Sequence, residues 1–186
     1  MRSCLATILL VGCEFSTTIS EPGVVADAPT MIDARPDATP LPACPAAPSG
    51  CTAAFDCATH LASCYYYCAS PDQSNDANTR CASIASGACL VTLDDVAESM
   101  CVLAAAGGTS LVYVGLRQPG GSSEPSGGWG WYCGTSTYGP NWSSGEPSNS
   151  GIGGEDCAAT DTQGRWVDVG CNESFRFICE APRPPS

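Results

Sequence analysis

Three acidic side chains, Glu146, Glu155 and Asp156, fall within a run of serine and glycine, NWSSGEPSNSGIGGEDC from Asn141 to Cys157, and a proline follows the first of them. A stretch of this composition has no apolar surface of its own to bury, so its carboxylates serve either a bound partner or solvation alone. Carboxylates brought together repel and raise one another's pKa, and an acidic surface attracts cations, but an excess of acid is too common to identify a metal site unaided. Nucleophilic catalysis finds no support. The one histidine, His60, stands beside cysteines with no serine elbow or nucleophile motif near it, which predicts a surface histidine in a protein that is not an enzyme.

The remainder of the chain must position that loop. It has 186 residues, a formal net charge of −12 and seven basic residues, all arginine. No basic run could neutralise a row of phosphates, which excludes nucleic acid as a partner. Fourteen cysteines in so short a chain point to an oxidising compartment. With Cys4 and Cys13 set aside, twelve remain, an even number suited to a fully paired framework. A zinc site is disfavoured by irregular spacings and the single histidine.

Residues 1–12 read as a short export signal whose apolar run, CLATILLVG, is too short to span a bilayer. Its end, LLVGC at Leu9 to Cys13, resembles the lipobox of bacterial lipoproteins, which implies lipidation of Cys13 and an exported protein anchored at the cell surface or outer membrane. An ordinary signal peptide cut elsewhere would give a secreted one. Contact with a membrane is expected only through that anchor. Residues 13–43 are rich in Pro, Ala, Asp and Thr and predict a disordered tether.

Folded patterning begins at residue 44 and extends to 182, with 183–186 as a tail. CYYYC (Cys64 to Cys68) favours a strand. SNDANTRCASIASG predicts a helix of about ten residues with a Ser or Asn start and a glycine stop. In TLDDVAESMCVLAAAG, Thr92 or Asp94 can cap a second helix, with Val96, Met100 and Leu103 on one apolar stripe. SLVYVGL reads as a buried strand. Some forty irregular residues follow, a length that is improbable unless functional or stapled. GRWVDVGC and SFRFICE then supply closing strands, so the class is α+β with the ends of the chain brought together.

YVGL at Tyr113 to Leu116, WGWYCG, NWSSGEP, GGEDC, GRWVDVGC and FICE occur in order and at suitable spacing. Together they make the segment from Cys64 to Glu180 similar to a C-type lectin-like domain: two helices, small antiparallel sheets, a long loop region and several disulfides. That resemblance implies disulfides Cys81–Cys179 and Cys157–Cys171. It also implies an N-terminal hairpin bridge from Cys64 to Cys51 or Cys57, with Cys51 preferred. Cys44, Cys68, Cys89, Cys101 and Cys133 have no counterpart in the basic pattern. Trp131, Trp142 and Trp166 are expected as core under the long loop.

In sugar-binding members of the family, calcium sits at the loop tip and a saccharide completes its shell through vicinal hydroxyls. Carried over, Glu146, Glu155 and Asp168 are the acidic ligands. Ser148 stands where an asparagine belongs, and Asn149 can take its place because the segment is one residue longer. These five residues, Glu146, Ser148, Asn149, Glu155 and Asp168, are the implied metal and carbohydrate ligands. The proline after Glu146 implies a cis bond that turns the flanking side chains to one side. Val167 replaces the asparagine of the family's WND motif and offers no oxygen, so the implied calcium site is weakened. Glutamate at 146 implies mannose-, glucose- or fucose-type sugars. The same substitution at Val167 leaves a second reading open, a calcium-independent protein-binding or adhesive module.

Overall fold

The computed structural model describes residues 40–108 and 111–186. Cys13, the leader and all but the end of the tether lie outside the described residues. Pro40–Ser186 forms one compact unit. Among the described residues no helix is long and apolar enough to cross a membrane.

The elements run β1 (Ser63–Asp72), α1 (Ser74–Ala82), β2 (Cys89–Leu90), α2 (Val96–Ala105), β3 (Val112–Arg117), β4 (Gly130–Trp131), β5 (Cys157–Thr160), β6 (Trp166–Val169) and β7 (Phe175–Pro182). Their sheet has the order β1-β7-β3-β5-β6, with β2 also on β7 and β4 on β3. The first and last strands are therefore neighbours, as the α+β reading requires. Alternation along β1 and β3 divides the core in two. Cys64, Tyr66 and Tyr113 pack with Phe177 on one face. Tyr65, Val112, Val114 and Leu116 pack with Ile178 and Trp166 on the other. At Gly115 a Cβ would stand 2.6 Å from the Leu90 carbonyl oxygen, so only glycine lets β3 pass this close to β2.

β5, with the sequence CAAT, has low strand propensity and escaped the sequence reading. It is extended because it pairs on both edges, with β3 and with β6. α1 starts at Ser74 after Gln73, whose side chain makes no cap. Ser74, expected as a cap, is buried within the helix, with its hydroxyl 3.2 Å from the Tyr132 hydroxyl.

α2 departs from expectation in both its cap and its buried face. The cap is Asp95, whose side chain accepts the Glu98 N–H at 2.8 Å, while Glu98 reaches back to accept the Asp94 N–H at 2.6 Å. This reciprocal capping box displaces Thr92 and Asp94 from that role. Leu103 is buried as expected, but Val96 and Met100 are 60% and 55% exposed, and the helix buries Glu98, Ser99 and Val102 in their place. The rotation follows from Glu98, which points inward to accept the Tyr65 hydroxyl at 2.6 Å. Burial pushes the Glu98 pKa up, and the bonds from Tyr65 and the Asp94 N–H oppose it. Tyr65→Phe should therefore leave a buried carboxyl short of a donor and cost about 2 kcal/mol in urea unfolding. A loss within error of zero would remove Glu98 as the reason for the helix orientation.

Six disulfides join the twelve cysteines: 44–64, 51–68, 57–101, 81–179, 89–133 and 157–171. The expected Cys51–Cys64 bridge is not among them. Register decides the matter: Cys51 lies across from Cys68 and Phe55 across from Tyr65, so Cys64 is left to Cys44. Arg183, assigned by sequence to a tail, is tied down by donating to the carbonyls of Leu61 and Pro42 and to the Asp56 carboxylate.

Candidate functional site

The long loop is held at its base and along one side. Gln118 N–H donates to the Asp156 carbonyl at 2.8 Å, and the Gln118 amide donates to the Gly127 carbonyl at 2.6 Å. Further on, residues 141–143 run parallel to the start of β6. Trp166 N–H donates to the Asn141 carbonyl at 2.7 Å and Ser143 N–H to the Trp166 carbonyl at 2.8 Å. That pairing carries the next residues, including Glu146, alongside Asp168 on the same strand.

The Glu146–Pro147 bond is cis. Asp168 is 2% exposed, and its two carboxylate oxygens accept the N–H groups of Ser148 at 3.0 Å and Asn149 at 2.7 Å. Asn149 adopts φ 48°, and its Oδ1 accepts the Glu155 N–H at 2.8 Å. Glu155 Oε2 accepts the Ser150 N–H at 2.7 Å. Ser148, Asn149, Glu155 and Asp168 thus form one bonded chain of contacts across the loop, with Glu146 beside Asp168. Their carboxylates do not all close on one point. Among the described residues, the set of His, Cys, Asp and Glu side chains whose ligand atoms approach within 4.8 Å of one another is His60, Asp94 and Glu98. Sequence reasoning missed that set, since His60 lies outside the motif region. His60 Nε2 is 3.7 Å from Asp95 and 3.8 Å from Glu98, and Glu98 is already engaged as the α2 cap.

Glu146 is where the loop is electrostatically uneasy. Its Oε2 is buried and receives no hydrogen bond. The neighbouring Asp168 carboxyl and burial push its pKa up to about 6, against opposing contributions from the hydroxyl and N–H of Ser148. A carboxyl whose folded pKa lies above its unfolded value holds its proton more tightly when folded. The stability this contributes is present below the ordinary carboxylate range and is lost as pH rises through about 6. In calcium-free buffer the unfolding midpoint should accordingly fall between pH 4.5 and 6.5, and Glu146→Gln should flatten that segment. An unaltered profile in the variant would assign the pH dependence to another group.

The donor types suit a hard cation, while the three carboxylates stand apart from a common point. Three carboxylates, a hydroxyl and an amide oxygen are calcium-type donors, and the donorless Glu146 oxygen beside Asp168 is what a cation would relieve.

Beside Pro147 the aromatic residues do not close into a solid core. Trp166 is 2% exposed, but Trp131 and Trp142 are only partly buried. With Trp129 and Tyr138 they surround a cavity of about 700 Å³. Trp129 and Trp142 meet edge to face at 4.8 Å between ring centroids, and Trp131, Tyr138 and Trp142 each meet Trp166 at 5.7 Å.

Residues 70–181 match the lectin C-type domain family. A hepatic lectin of Gallus gallus is 32% identical over 123 residues, covering 65% of this chain and 56% of that protein. C-type lectin domain family 10 member A of Homo sapiens is 38% identical over 80 residues, 40% of this chain and 23% of that protein. The chain thus spans about half or less of the length of these relatives. The carbohydrate-recognition domain of the mouse scavenger receptor C-type lectin superposes with a TM-score of 0.59 at 28% identity, covering 75% of this chain and 98% of that domain. These relatives are animal lectins and lend no support to the bacterial lipoprotein resemblance. C-type lectin domains typically bind calcium and are generally not enzymes. The chain belongs to the lectin C-type domain family.

Proposed function

We propose that this protein is an exported carbohydrate-binding lectin that takes its saccharide through a calcium ion held at Glu146, Glu155 and Asp168, with Ser148 and Asn149 as neutral ligands. The observation that carries the reading is the buried, donorless Oε2 of Glu146 beside the Asp168 carboxyl. Two acids pressed together, one on the loop and one on β6, cost stability at neutral pH unless a proton or a cation joins them. The site is weaker than the family's standard one, because Val167 offers no oxygen and both Asp168 oxygens already accept backbone N–H groups. Glutamate at 146 supports mannose-, glucose- or fucose-type hydroxyl pairs. Six disulfides support passage through an oxidising compartment. A lipid on Cys13, or release after signal cleavage, would then decide between an anchored and a secreted form.

Calcium binding only to the folded state must raise the unfolding free energy, by about 2.7 kcal/mol at a hundred times the dissociation constant, and the unfolding midpoint with it. The same titration on Glu155→Gln should show a folded protein without the calcium response. Monosaccharide resins eluted with EDTA then test the ligand, with retention expected on mannose. Retention on galactose alone would overturn the sugar preference. The occupied Asp168 oxygens favour one rival, a calcium-independent module that binds protein through the same loop. An unfolding midpoint indifferent to millimolar calcium would establish that rival over the lectin reading.

A further inference from the structure

Glu146 hangs between two points of attachment on the hairpin formed by β5 and β6. After it in the chain, Ser148 and Asn149 donate to Asp168 of β6. Before it, the loop meets β6 as an isolated parallel bridge, Trp142 against Trp166, with two backbone hydrogen bonds. So short a pairing does not hold an irregular segment still, because ordering costs backbone entropy at every residue. The hairpin tip, residues 161–165, adds the remaining grip through side chains.

Asp161 is the centre of that tip. Its Oδ1 accepts the N–H groups of Gln163 at 2.8 Å and Arg165 at 2.9 Å, which closes the turn. Its Oδ2 accepts Arg165 Nε at 3.0 Å and, from the long loop, the Ser143 hydroxyl at 3.0 Å. The same turn presents the Gly164 carbonyl to the Asn141 amide, which donates to it at 2.8 Å. Gly164 has φ 77°, and a Cβ there would stand 2.9 Å from Leu103 Cδ1, so the tip is backed by α2. Ser143 then begins the turn that leads to the acid, since its carbonyl accepts the Glu146 N–H at 3.0 Å. Closing the hairpin requires Oδ1 alone. The reach of Oδ2 to Ser143, 18 positions earlier, serves the loop. Burial opposes ionisation of Asp161, but the N–H groups of Arg165 and Gln163, the Ser143 hydroxyl and the Arg165 guanidinium hold its pKa below the ordinary carboxylate range.

We infer that Asp161 is a positioning residue for the loop: by clamping Ser143 it fixes where Glu146 stands relative to Asp168, and so sets the affinity of the site for its cation. The affinity follows only if the calcium reading holds, whereas the clamp itself stands on geometry.

The test pairs calcium titration calorimetry on the folded chain with amide hydrogen exchange in EDTA, for the parent, Ser143→Ala, Ser143→Thr, Asp161→Asn and Tyr66→Phe. A hydrogen bond to a charged group is worth about tenfold in an equilibrium constant, so Ser143→Ala should weaken calcium binding about tenfold and Asp161→Asn at least as much. Ser143→Thr keeps the hydroxyl and should stay within about twofold of the parent. Tyr66→Phe loses a hydroxyl bonded to the Pro45 carbonyl, outside the loop, and should bind calcium as the parent does whatever stability it loses. In EDTA the N–H groups of Ser148 and Asn149 should exchange faster in Ser143→Ala and Asp161→Asn, and at the parent rate in the other two. Parent-like calcium affinity in Ser143→Ala overturns the inference, and so does an equal weakening in Tyr66→Phe. A parent that takes up no calcium overturns the cation reading instead. The exchange rates then judge the clamp, which faster exchange in Ser143→Ala supports and unaltered exchange overturns.

Discussion

Replacing both Cys81 and Cys179 by alanine is expected to destabilise the domain by about 5 kcal/mol, seen as a large fall in the urea midpoint under non-reducing conditions. The bridge closes a separation of 98 residues, and a loop of roughly 100 residues is worth about 4.7 kcal/mol in the chain-entropy account. It is also the pin between α1 and β7, and β7 pairs with β1, β2 and β3. Both cysteines must be removed together. Cys68 Sγ lies 3.8 Å from Cys179 Sγ, so a lone thiol at 179 could exchange with the Cys51–Cys68 bridge and obscure the result. A loss under about 1 kcal/mol would mean that the unfolded chain is already constrained by the other five bridges, and the loop-closure argument would fail here.

Asp168→Ala carries the second large effect, and it has two parts. The carboxylate is buried and accepts two backbone N–H groups, from Ser148 and Asn149. Hydrogen bonds to charged groups are worth about 1.5–3 kcal/mol each, so the variant should lose roughly 3–4 kcal/mol and free the loop between Pro147 and Glu155. Calcium stabilisation and retention on sugar resin should disappear at the same time. Asp168→Asn separates the two parts, because its single carbonyl oxygen can still accept one N–H. It should lose about half as much stability and the whole calcium response. If Asp168→Asn still gained stability from calcium like the parent, the ion would have to bind elsewhere, with the His60, Asp94 and Glu98 group next to be mutated.

Much of the architecture could be read along the chain because its motifs are local. The apolar run of β3 and the closing strands each announce themselves within a few residues, whereas the helix caps fall at Gln73 and Asp95, outside the expected capping residues. α2 was misread for a physical reason. Val96, Met100 and Leu103 form a valid apolar stripe, and helical periodicity cannot weigh it against one inward Glu98 bonded to Tyr65 from another strand. β5 was unreadable because CAAT has no intrinsic preference for extension, and its conformation is imposed by neighbours on both edges. The hairpin cysteines were ambiguous for a related reason. Spacing leaves several partners open to Cys64, and only the register of residues 50–55 against β1 decides.

The sequence by itself determined the α+β order of elements, the even complement of twelve cysteines and the gathering of acids in one glycine-rich loop, since composition and local propensity carry that information, while the lectin likeness rested on the resemblance of its motifs. Tertiary structure alone decided which acid is buried, which oxygen lacks a donor and where the tryptophans leave room. Those properties depend on distances between residues far apart in the chain: Asp168 meets Glu146 because residues 141–143 pair with β6, and the cavity is bounded by five rings that meet edge to face, Trp129, Trp131, Tyr138, Trp142 and Trp166.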